Sequence, residues 1–213
     1  MQKRGILIVV SGFAGSGKGT VMKELLSQYD DYALSISATT RAPREGEEHG
    51  KHYFFVSVEE FERMIRDDEL LEHAQYVSNY YGTPKSYVEK ELAAGKDVIL
   101  EIETKGALLV KEKHPETLLL FIMPPRAGEI YERLKKRGTE SEEVILKRMA
   151  KAREEAGLID KYDYLVINDD LEDCVKQIHE IIRSVHCRVD WNRELIEEMK
   201  EGLRAFSEGT SLS

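Results

Sequence analysis

The sequence predicts an α/β protein in which a doubly wound parallel sheet carries a phosphate-binding loop (P-loop) and a small antiparallel lobe is inserted. Three observations indicate this. Apolar runs of strand length alternate with helical patterns along most of the 213-residue chain, as in parallel sheets with helical crossovers. The first apolar run leads directly into a glycine-rich loop and a helix. A polar, turn-rich segment then interrupts the alternation, which resumes near residue 97.

The glycine-rich loop follows the apolar run 6–10 and precedes a helix that we expect to end near Tyr29. Its pattern is Gly-x-x-x-x-Gly-Lys, in which backbone N–H groups and a lysine surround an anion at a helix N-terminus. The strand–loop–helix context favours this interpretation over a glycine-rich turn that binds nothing. The candidate nucleotide-phosphate ligands are Gly12, Phe13, Ala14, Gly15, Ser16, Gly17, Lys18, Gly19 and Thr20.

One position departs from the usual P-loop. Gly19 stands where a serine or threonine usually meets Mg²⁺, and the hydroxyl arrives one residue later at Thr20. Thr20 can contact the metal directly, reach it through water, or bind a phosphate oxygen. The sequence leaves these three alternatives open.

Composition limits the possible partners. The fractions of hydrophobic residues (41%) and charged residues (33%) are those of a soluble globular protein. A net charge of −9 argues against a general nucleic-acid binder, which needs a basic surface. The two cysteines form neither a metal motif nor a disulfide framework, and no apolar run has the length of a membrane span. We therefore expect a cytoplasmic protein with no nucleic-acid and no membrane partner.

The inserted lobe is predicted at residues 37–88. A strand at 32–37 precedes the polar segment 39–51, and a second strand is expected at 53–56. Ser57 is a candidate N-cap, with Glu60 as its capping-box partner, for a helix ending near Arg66. Further strands at 70–77 and around 80–81 complete the lobe.

The α/β alternation then resumes with strands at 97–102, 118–123 and 164–167. Helices are expected at 105–113, 127–137 and 141–156, followed by one that ends near residue 186 and a charged amphipathic helix from about residue 188. Ligands of doubly wound sheets bind at the carboxyl ends of the strands. Four residues fall at such ends: Gly12, Glu101, Pro124 and Asn168.

Two arginines mark a second candidate phosphate site. Arg41 and Arg44 lie three residues apart on a proline-containing loop, and guanidinium groups are well suited to bind one phosphate together. Taken alone, the pattern fits two solvated surface arginines better. Tyr53 and Tyr81 lie in the same lobe, and each can either donate its hydroxyl to a phosphate or pack in the core.

A series of motifs extends over residues 4–186: Thr39-Thr40-Arg41-Ala42-Pro43-Arg44, Gly50-Lys51-x-Tyr53, Glu72-x-Ala74, Asn79-Tyr80-Tyr81-Gly82-Thr83, Arg137-Gly138 and Asn168-Asp169-Asp170. In order and spacing they resemble the guanylate kinase family of P-loop nucleoside monophosphate kinases. The resemblance implies one domain at 1–186 with a core (1–36, 89–126 and 157–186), a GMP-binding lobe (37–88) and a helical lid (127–156). Residues 187–213 would form a C-terminal helix and tail.

The resemblance also implies residue roles. Arg41, Arg44, Tyr53 and Tyr81 would hold the phosphate of GMP, and Ser37, Glu72, Thr83 and Glu101 would bind its guanine. Guanine offers an N1–H and an exocyclic amine to a carboxylate, whereas adenine presents an acceptor at N1 and leaves that carboxylate unsatisfied. Arg133 and Asn168 would lie beside the adenine of ATP, and Lys18, Arg41, Arg137 and Arg148 would be catalytic.

The implied reaction is phosphoryl transfer from ATP to GMP, and to dGMP, with Mg²⁺ as cofactor, in purine nucleotide metabolism and GMP recycling. ATP and GMP are the implied partners, and the sequence leaves monomer and homo-oligomer open. Two alternatives remain. One is a non-catalytic module that binds phosphorylated peptides; the other is a kinase of the same fold with a different acceptor. An intact P-loop disfavours the first, and Glu72 and Ser37 disfavour the second.

Overall fold

The computed structural model describes residues 4–76, 78–138 and 140–207. The chain divides into two compact units, residues 1–175 and 176–213. The predicted split into core, lobe, lid and tail stays a prediction. None of the described helices combines the length and apolar composition needed to cross a bilayer.

The described strands are β1 (Leu7–Gly12), β2 (Tyr32–Leu34), β3 (Ala38–Thr39), β4 (Phe54–Phe55), β5 (Leu70–Tyr76), β6 (Asn79–Pro84), β7 (Asp97–Glu101), β8 (Leu118–Met123) and β9 (Tyr164–Ile167). The described α-helices are α1 (Lys18–Gln28), α2 (Val58–Arg66), α3 (Lys85–Ala93), α4 (Thr104–Lys113), α5 (Ala127–Arg137), α6 (Glu142–Ala156), α7 (Leu171–Val185) and α8 (Arg193–Ser207). Short 3₁₀ turns lie at Ile159–Lys161 and Asp190–Asn192.

The core sheet has the strand order β2-β7-β1-β8-β9, and all of its pairs are parallel. Its three central strands are apolar runs buried on both faces, as expected for a parallel sheet covered by helices. The predicted doubly wound α/β core is confirmed. Because the pairs are parallel, the ends of β1, β7, β8 and β9 meet at one edge of the sheet.

The second sheet has the order β4-β3-β6-β5. Its β3–β6 and β5–β6 pairs are antiparallel, as predicted, but β3 and β4 pair in parallel. The expectation of a wholly antiparallel lobe is wrong for this pair. The connection 40–53 is long enough to return the chain to the start of β3, which a parallel pair requires.

Two further boundaries differ from prediction. The predicted strand 32–37 is too long: β2 ends at Leu34, although Ser35 N–H still donates to Ile99 O at 2.8 Å. A separate strand in the second sheet, β3, begins at Ala38, which pairs with Gly82. Helix α3 was not predicted; it begins after Pro84 and buries Val88 and Leu92 one turn apart.

The predicted cap of α2 is half confirmed. Ser57 Oγ accepts a hydrogen bond from Glu60 N–H at 3.1 Å. The Glu60 carboxylate does not complete a capping box, because it bonds Arg63 at 2.8 and 3.1 Å instead. An arginine one turn along the helix therefore competes successfully for the capping carboxylate.

Gly5 provides a test of the packing before β1. A Cβ atom at Gly5 would fall far inside van der Waals contact with the Lys96 carbonyl, which is backbone and cannot rotate away. We expect Gly5→Ala to lower the free energy of unfolding by about 3 kcal/mol or more, since overpacking against backbone forces the strands apart. Urea denaturation measures this.

Gly128→Ala is the matched control. A Cβ atom at Gly128 in α5 would meet nothing within 4 Å, and alanine favours helix. Equal stability of the two variants would contradict the packing argument.

Candidate active site

The P-loop connects β1 to α1 through two residues with left-handed backbone, Gly15 (φ 84°) and Gly17 (φ 86°). Ser16 N–H donates to Phe13 O at 3.0 Å and closes the turn. The Phe13 side chain is buried against Phe121, with ring centroids 5.0 Å apart. Phe13 therefore anchors the loop through its side chain and offers only its backbone to a ligand.

Asn168 and Arg133 hold the P-loop from the side of β9. The Asn168 Nδ2 donates to Ser16 O at 2.7 Å, and Arg133 reaches the same carbonyl at 3.2 Å. Arg133 also donates to Asn168 O at 3.0 Å and pairs with Glu129. A Cβ atom at Gly17 would collide with the Asn168 amide. Both residues thus lie at the P-loop, and their predicted contact with adenine stays a prediction.

Lys18 begins α1, and its Nζ lies 3.3 Å from Glu101 Oε1 at the end of β7. The parallel pairing of β1 with β7 brings these two residues together. The structure places Glu101 beside the P-loop lysine, and its predicted role in binding guanine stays a prediction. Thr20 is exposed in the first turn of α1, with its N–H bonded to Gly17 O at 3.0 Å.

Three charged residues that sequence reasoning missed lie near this pair. Lys151 on α6 pairs with Glu103 at 2.7 Å. Burial raises the pKa of the Glu155 carboxyl, on which Lys151, Glu103 and Lys18 also act. The Glu101-x-Glu103 spacing after a buried strand was the available sequence signal. Lys151 and Glu155 on α6 had none, because they are two of many charged residues on that helix.

Glu72 and Thr83 form a buried polar pair between β5 and β6. Glu72 is only 8% exposed, and Thr83 Oγ1 donates to its Oε1 at 2.8 Å. Burial raises the pKa of Glu72, and hydrogen bonds from Thr83 act in the opposite direction. The second oxygen, Oε2, faces Gly106 of α4, where a Cβ atom would approach to 3.2 Å. Glu72 is therefore not an ordinary exposed strand acid.

Arg41 is fixed by Glu47, a residue of the same motif to which the sequence assigned no role. Its two terminal nitrogens donate to the two Glu47 oxygens, each at 2.9 Å. The hydrogen bonds from Arg41 and from Arg44 N–H lower the pKa of Glu47 to about 2. Glu47 is therefore ionised at neutral pH and holds the guanidinium in one orientation.

Tyrosines complete the cluster around Arg41. The guanidinium lies 5.4 Å from the Tyr53 ring centroid, and Tyr81 also interacts with it. The Tyr53 and Tyr81 rings are 6.3 Å apart. The structure thus brings three of the four predicted phosphate ligands together. The Arg44 side chain is exposed on the same loop.

The remaining predicted residues lie on separate elements. Ser37 is partly buried just before β3, and its carbonyl accepts from Phe54 N–H at 2.9 Å. Arg148 on α6 pairs with Glu140, and Arg137 is exposed in the last turn of α5. The α5 helix ends at Gly138, whose φ of 65° permits a sharp change of direction.

The burial of Glu72 predicts a conflict between stability and function. Glu72→Gln keeps an acceptor for Thr83 and removes the charge, so we expect it to stabilise the ligand-free protein at pH 7.5 by roughly 1 kcal/mol. Since folding raises the pKa above its ordinary value of 4.5, the advantage is absent below that pH and grows as pH rises through the folded pKa. Urea denaturation at pH 4 and 7.5 measures it.

Glu45→Gln is the control, because Glu45 is exposed on the loop that carries Arg44. A gain for Glu72→Gln that is the same at both pH values, or is matched by Glu45→Gln, would contradict the assignment to burial.

Known proteins that are similar to this chain share one family description. A family model described as guanylate kinase matches residues 4–185. The guanylate kinase of Caldanaerobacter subterraneus subsp. tengcongensis is 53% identical over 94% of this chain and 98% of that relative. The guanylate kinase of Clostridium perfringens is 50% identical over 93% and 92%.

A solved structure agrees as well. The crystal structure of guanylate kinase from Anaplasma phagocytophilum has a TM-score of 0.72 and 32% identity, covering 92% of this chain and 95% of that one. The resemblance predicted from the motifs is therefore confirmed, and with it the enzyme class, a nucleotide kinase. The chain belongs to the guanylate kinase family.

Proposed function

We propose that this chain transfers the γ-phosphate of ATP to GMP, and to dGMP, giving ADP and GDP. The observation that carries the proposal is the buried Glu72–Thr83 pair, which faces α4. Thr83 lies on β6, the strand that also carries Tyr81 of the Arg41 cluster. A carboxylate taken from water in this way needs a specific hydrogen-bond donor to compensate it. The guanine edge, with two adjacent N–H donors, is such a group.

The cluster of Arg41, Tyr53 and Tyr81 would bind the phosphate of GMP. Arg41 is held by Glu47 and stacks near an aromatic ring, so little side-chain entropy is lost when a phosphate arrives. Thr39 Oγ1 accepts from Arg41 N–H at 3.2 Å and fixes the start of the same loop. With Arg44 and Ser37, these residues form the proposed acceptor site.

The P-loop would bind ATP. Its glycines expose N–H groups at the start of α1, and Lys18 adds a positive charge. Arg133 and Asn168 hold the Ser16 carbonyl from the side that we assign to adenine. We assign residues 37–88 to the acceptor lobe and 127–156 to a lid that carries Arg137 and Arg148, within a domain of residues 1–186. We also propose a cytoplasmic location.

No general base is required. The acceptor is a phosphate oxygen, and the second pKa of a phosphate monoester is about 6, so the nucleophile is already ionised at neutral pH. The barrier lies in the repulsion between two polyanions. Lys18, Arg41, Arg137 and Arg148 would reduce it by placing positive charge around the transferring group. Closing the lid would exclude water and suppress hydrolysis of ATP.

The residues beside Lys18 fit a hard divalent cation. The Thr20 hydroxyl and the Glu101 carboxylate supply the oxygen ligands that Mg²⁺ prefers, and Gly19 leaves the space between α1 and Glu101 open. The described residues contain no cluster of three metal-ligating side chains. This donor set suits an ion that is held largely by phosphate oxygens and water. Bound there, Mg²⁺ would neutralise phosphate charge.

Base specificity tests the proposal. We expect ADP release in a coupled assay to be supported by GMP and dGMP and to be at least about 10²-fold slower with AMP, CMP or UMP, because the wrong base leaves Glu72 unsatisfied. Glu72→Gln should lose kcat/KM for GMP by a similar factor, and Glu45→Gln should not. Equal turnover of AMP and GMP would refute the assignment of Glu72 to guanine.

The variant Lys18→Ala tests whether the ATP site and the GMP site are separate. We expect Lys18→Ala to slow transfer at least about 10²-fold, as loss of one stabilising charge does. GMP affinity, measured by calorimetry, should change little because the acceptor lobe is intact. Lys23→Ala, an exposed lysine of α1, is the matched control. Loss of GMP binding in Lys18→Ala together with loss of transfer would contradict separate donor and acceptor sites.

A further inference from the structure

Helix α8 presents an apolar stripe to solvent. Leu195, Met199, Leu203 and Phe206 are 57%, 61%, 61% and 69% exposed. At 3.6 residues per turn these four side chains fall within an arc of roughly 80° on one face. Contiguous exposed apolar residues of this kind mark interaction surfaces. The stripe lies beyond residue 185, where the match to the family model ends, and contains none of the residues assigned to substrate binding.

Charge is divided across the stripe. One border carries Arg193 and Lys200, and the other carries Glu194 and Glu198. On the helical wheel Arg193 and Lys200 lie about 100–120° from Met199 on one side. Glu194 and Glu198 lie about 100–140° from it on the other side. All four residues are exposed. Arg204, about 140° from Met199, extends the basic border, and Glu197 and Glu201 lie on the far face.

We propose that α8 is a self-association surface on which two copies of this chain pair through parallel helices. A two-fold axis running along the paired helices turns the basic border of one copy toward the acidic border of the other, on both sides of the stripe. In an antiparallel pair the axis is perpendicular to the helices, and each border would meet its own kind. Opposite charges beside an apolar seam set the orientation of paired helices.

In the parallel arrangement, oppositely charged residues of the two copies also lie at similar positions along the helix axis. Residues with the same number stand level with each other, so Lys200 lies about 3 Å along the axis from Glu198 of the partner subunit, at 1.5 Å per residue. Arg193 and Glu194 of the partner subunit are one residue apart in height. Lys200 bonds Glu197 of its own helix at 2.6 Å, but that exposed pair contributes little and can exchange.

The area that two α8 helices can bury sets the expected affinity of the dimer. A pair of 15-residue helices buries less than the roughly 1,200 Å² of a stable complex, so we expect reversible dimerisation with Kd on the order of 10 µM. An isologous contact of this kind closes on itself and does not form larger assemblies. A membrane surface is a poorer partner, since the acidic border would be repelled by anionic lipid headgroups.

Sedimentation velocity of the full chain tests the proposal, over loading concentrations from about 1 to 300 µM around the expected Kd. We expect a monomer–dimer equilibrium, and we expect Met199→Asp and Leu203→Asp each to raise Kd at least about 30-fold. Both residues are exposed, so circular dichroism and kinase activity should be unchanged. A chain that is monomeric throughout, or a dimer that both variants leave intact, would overturn the proposal.

Charge exchange tests the orientation. We expect Glu198→Lys and Lys200→Glu each to raise Kd about 3- to 10-fold and the double variant to restore it, because the pairing is reciprocal. Glu201→Lys makes the same charge change on the far face and should have no effect. If Glu198→Lys tightens the dimer, the helices pair antiparallel and the proposed arrangement is wrong.

Discussion

The parallel pairing of β1 with both β7 and β8 is the constraint on which the site depends. It places the P-loop between the ends of its two neighbouring strands, so Lys18 meets Glu101 on one side while the β9 end supplies Asn168 on the other. No loop could hold these groups together alone. In the proposed function the lobe would contribute specificity, and the buried sheet fixes the positions of Lys18, Glu101 and Asn168 to which the lobe would bring its substrate.

Burial of the Glu72 carboxylate costs free energy, and the proposed role in guanine recognition gives a reason for that cost. Glu72 loses hydration on folding and regains the hydrogen bonds of Thr83 and a smaller favourable effect of the Lys113 charge, so burial still disfavours its charged form in the ligand-free protein. An apolar residue at this position would pack more favourably and recognise nothing. The absence of a side chain at Gly106 keeps Oε2 accessible. The hydrogen bond from Thr83 and the small size of Gly106 together allow the Glu72 carboxylate to remain buried.

The sequence predicted those features that follow from local chemistry. The P-loop, the Ser57 cap and the strands β8 and β9 each depend on a short pattern, and the structure has them at the expected residues. Features that depend on tertiary pairing were missed. The parallel β3–β4 pair requires knowledge of where residues 40–53 travel, and the Glu47–Arg41 fork depends on the fold of that same loop. Helix α3 was missed because its apolar residues are few and the predicted boundary between lobe and core, at residues 88 and 89, falls inside it.

The cations of the proposed site are paired with carboxylates, which affects how an acidic protein binds polyanionic substrates. The protein carries a net charge of −9, yet most cations of the site are already matched to carboxylates: Lys18 to Glu101, Arg41 to Glu47, Arg133 to Glu129, Arg148 to Glu140 and Lys151 to Glu103. A phosphate must therefore displace a carboxylate or join it. Only a ligand that brings more charge, or further hydrogen bonds, gains from that exchange. The pairs keep the cations in position, and in the proposed function they would disfavour simple anions that cannot replace the lost carboxylate contacts.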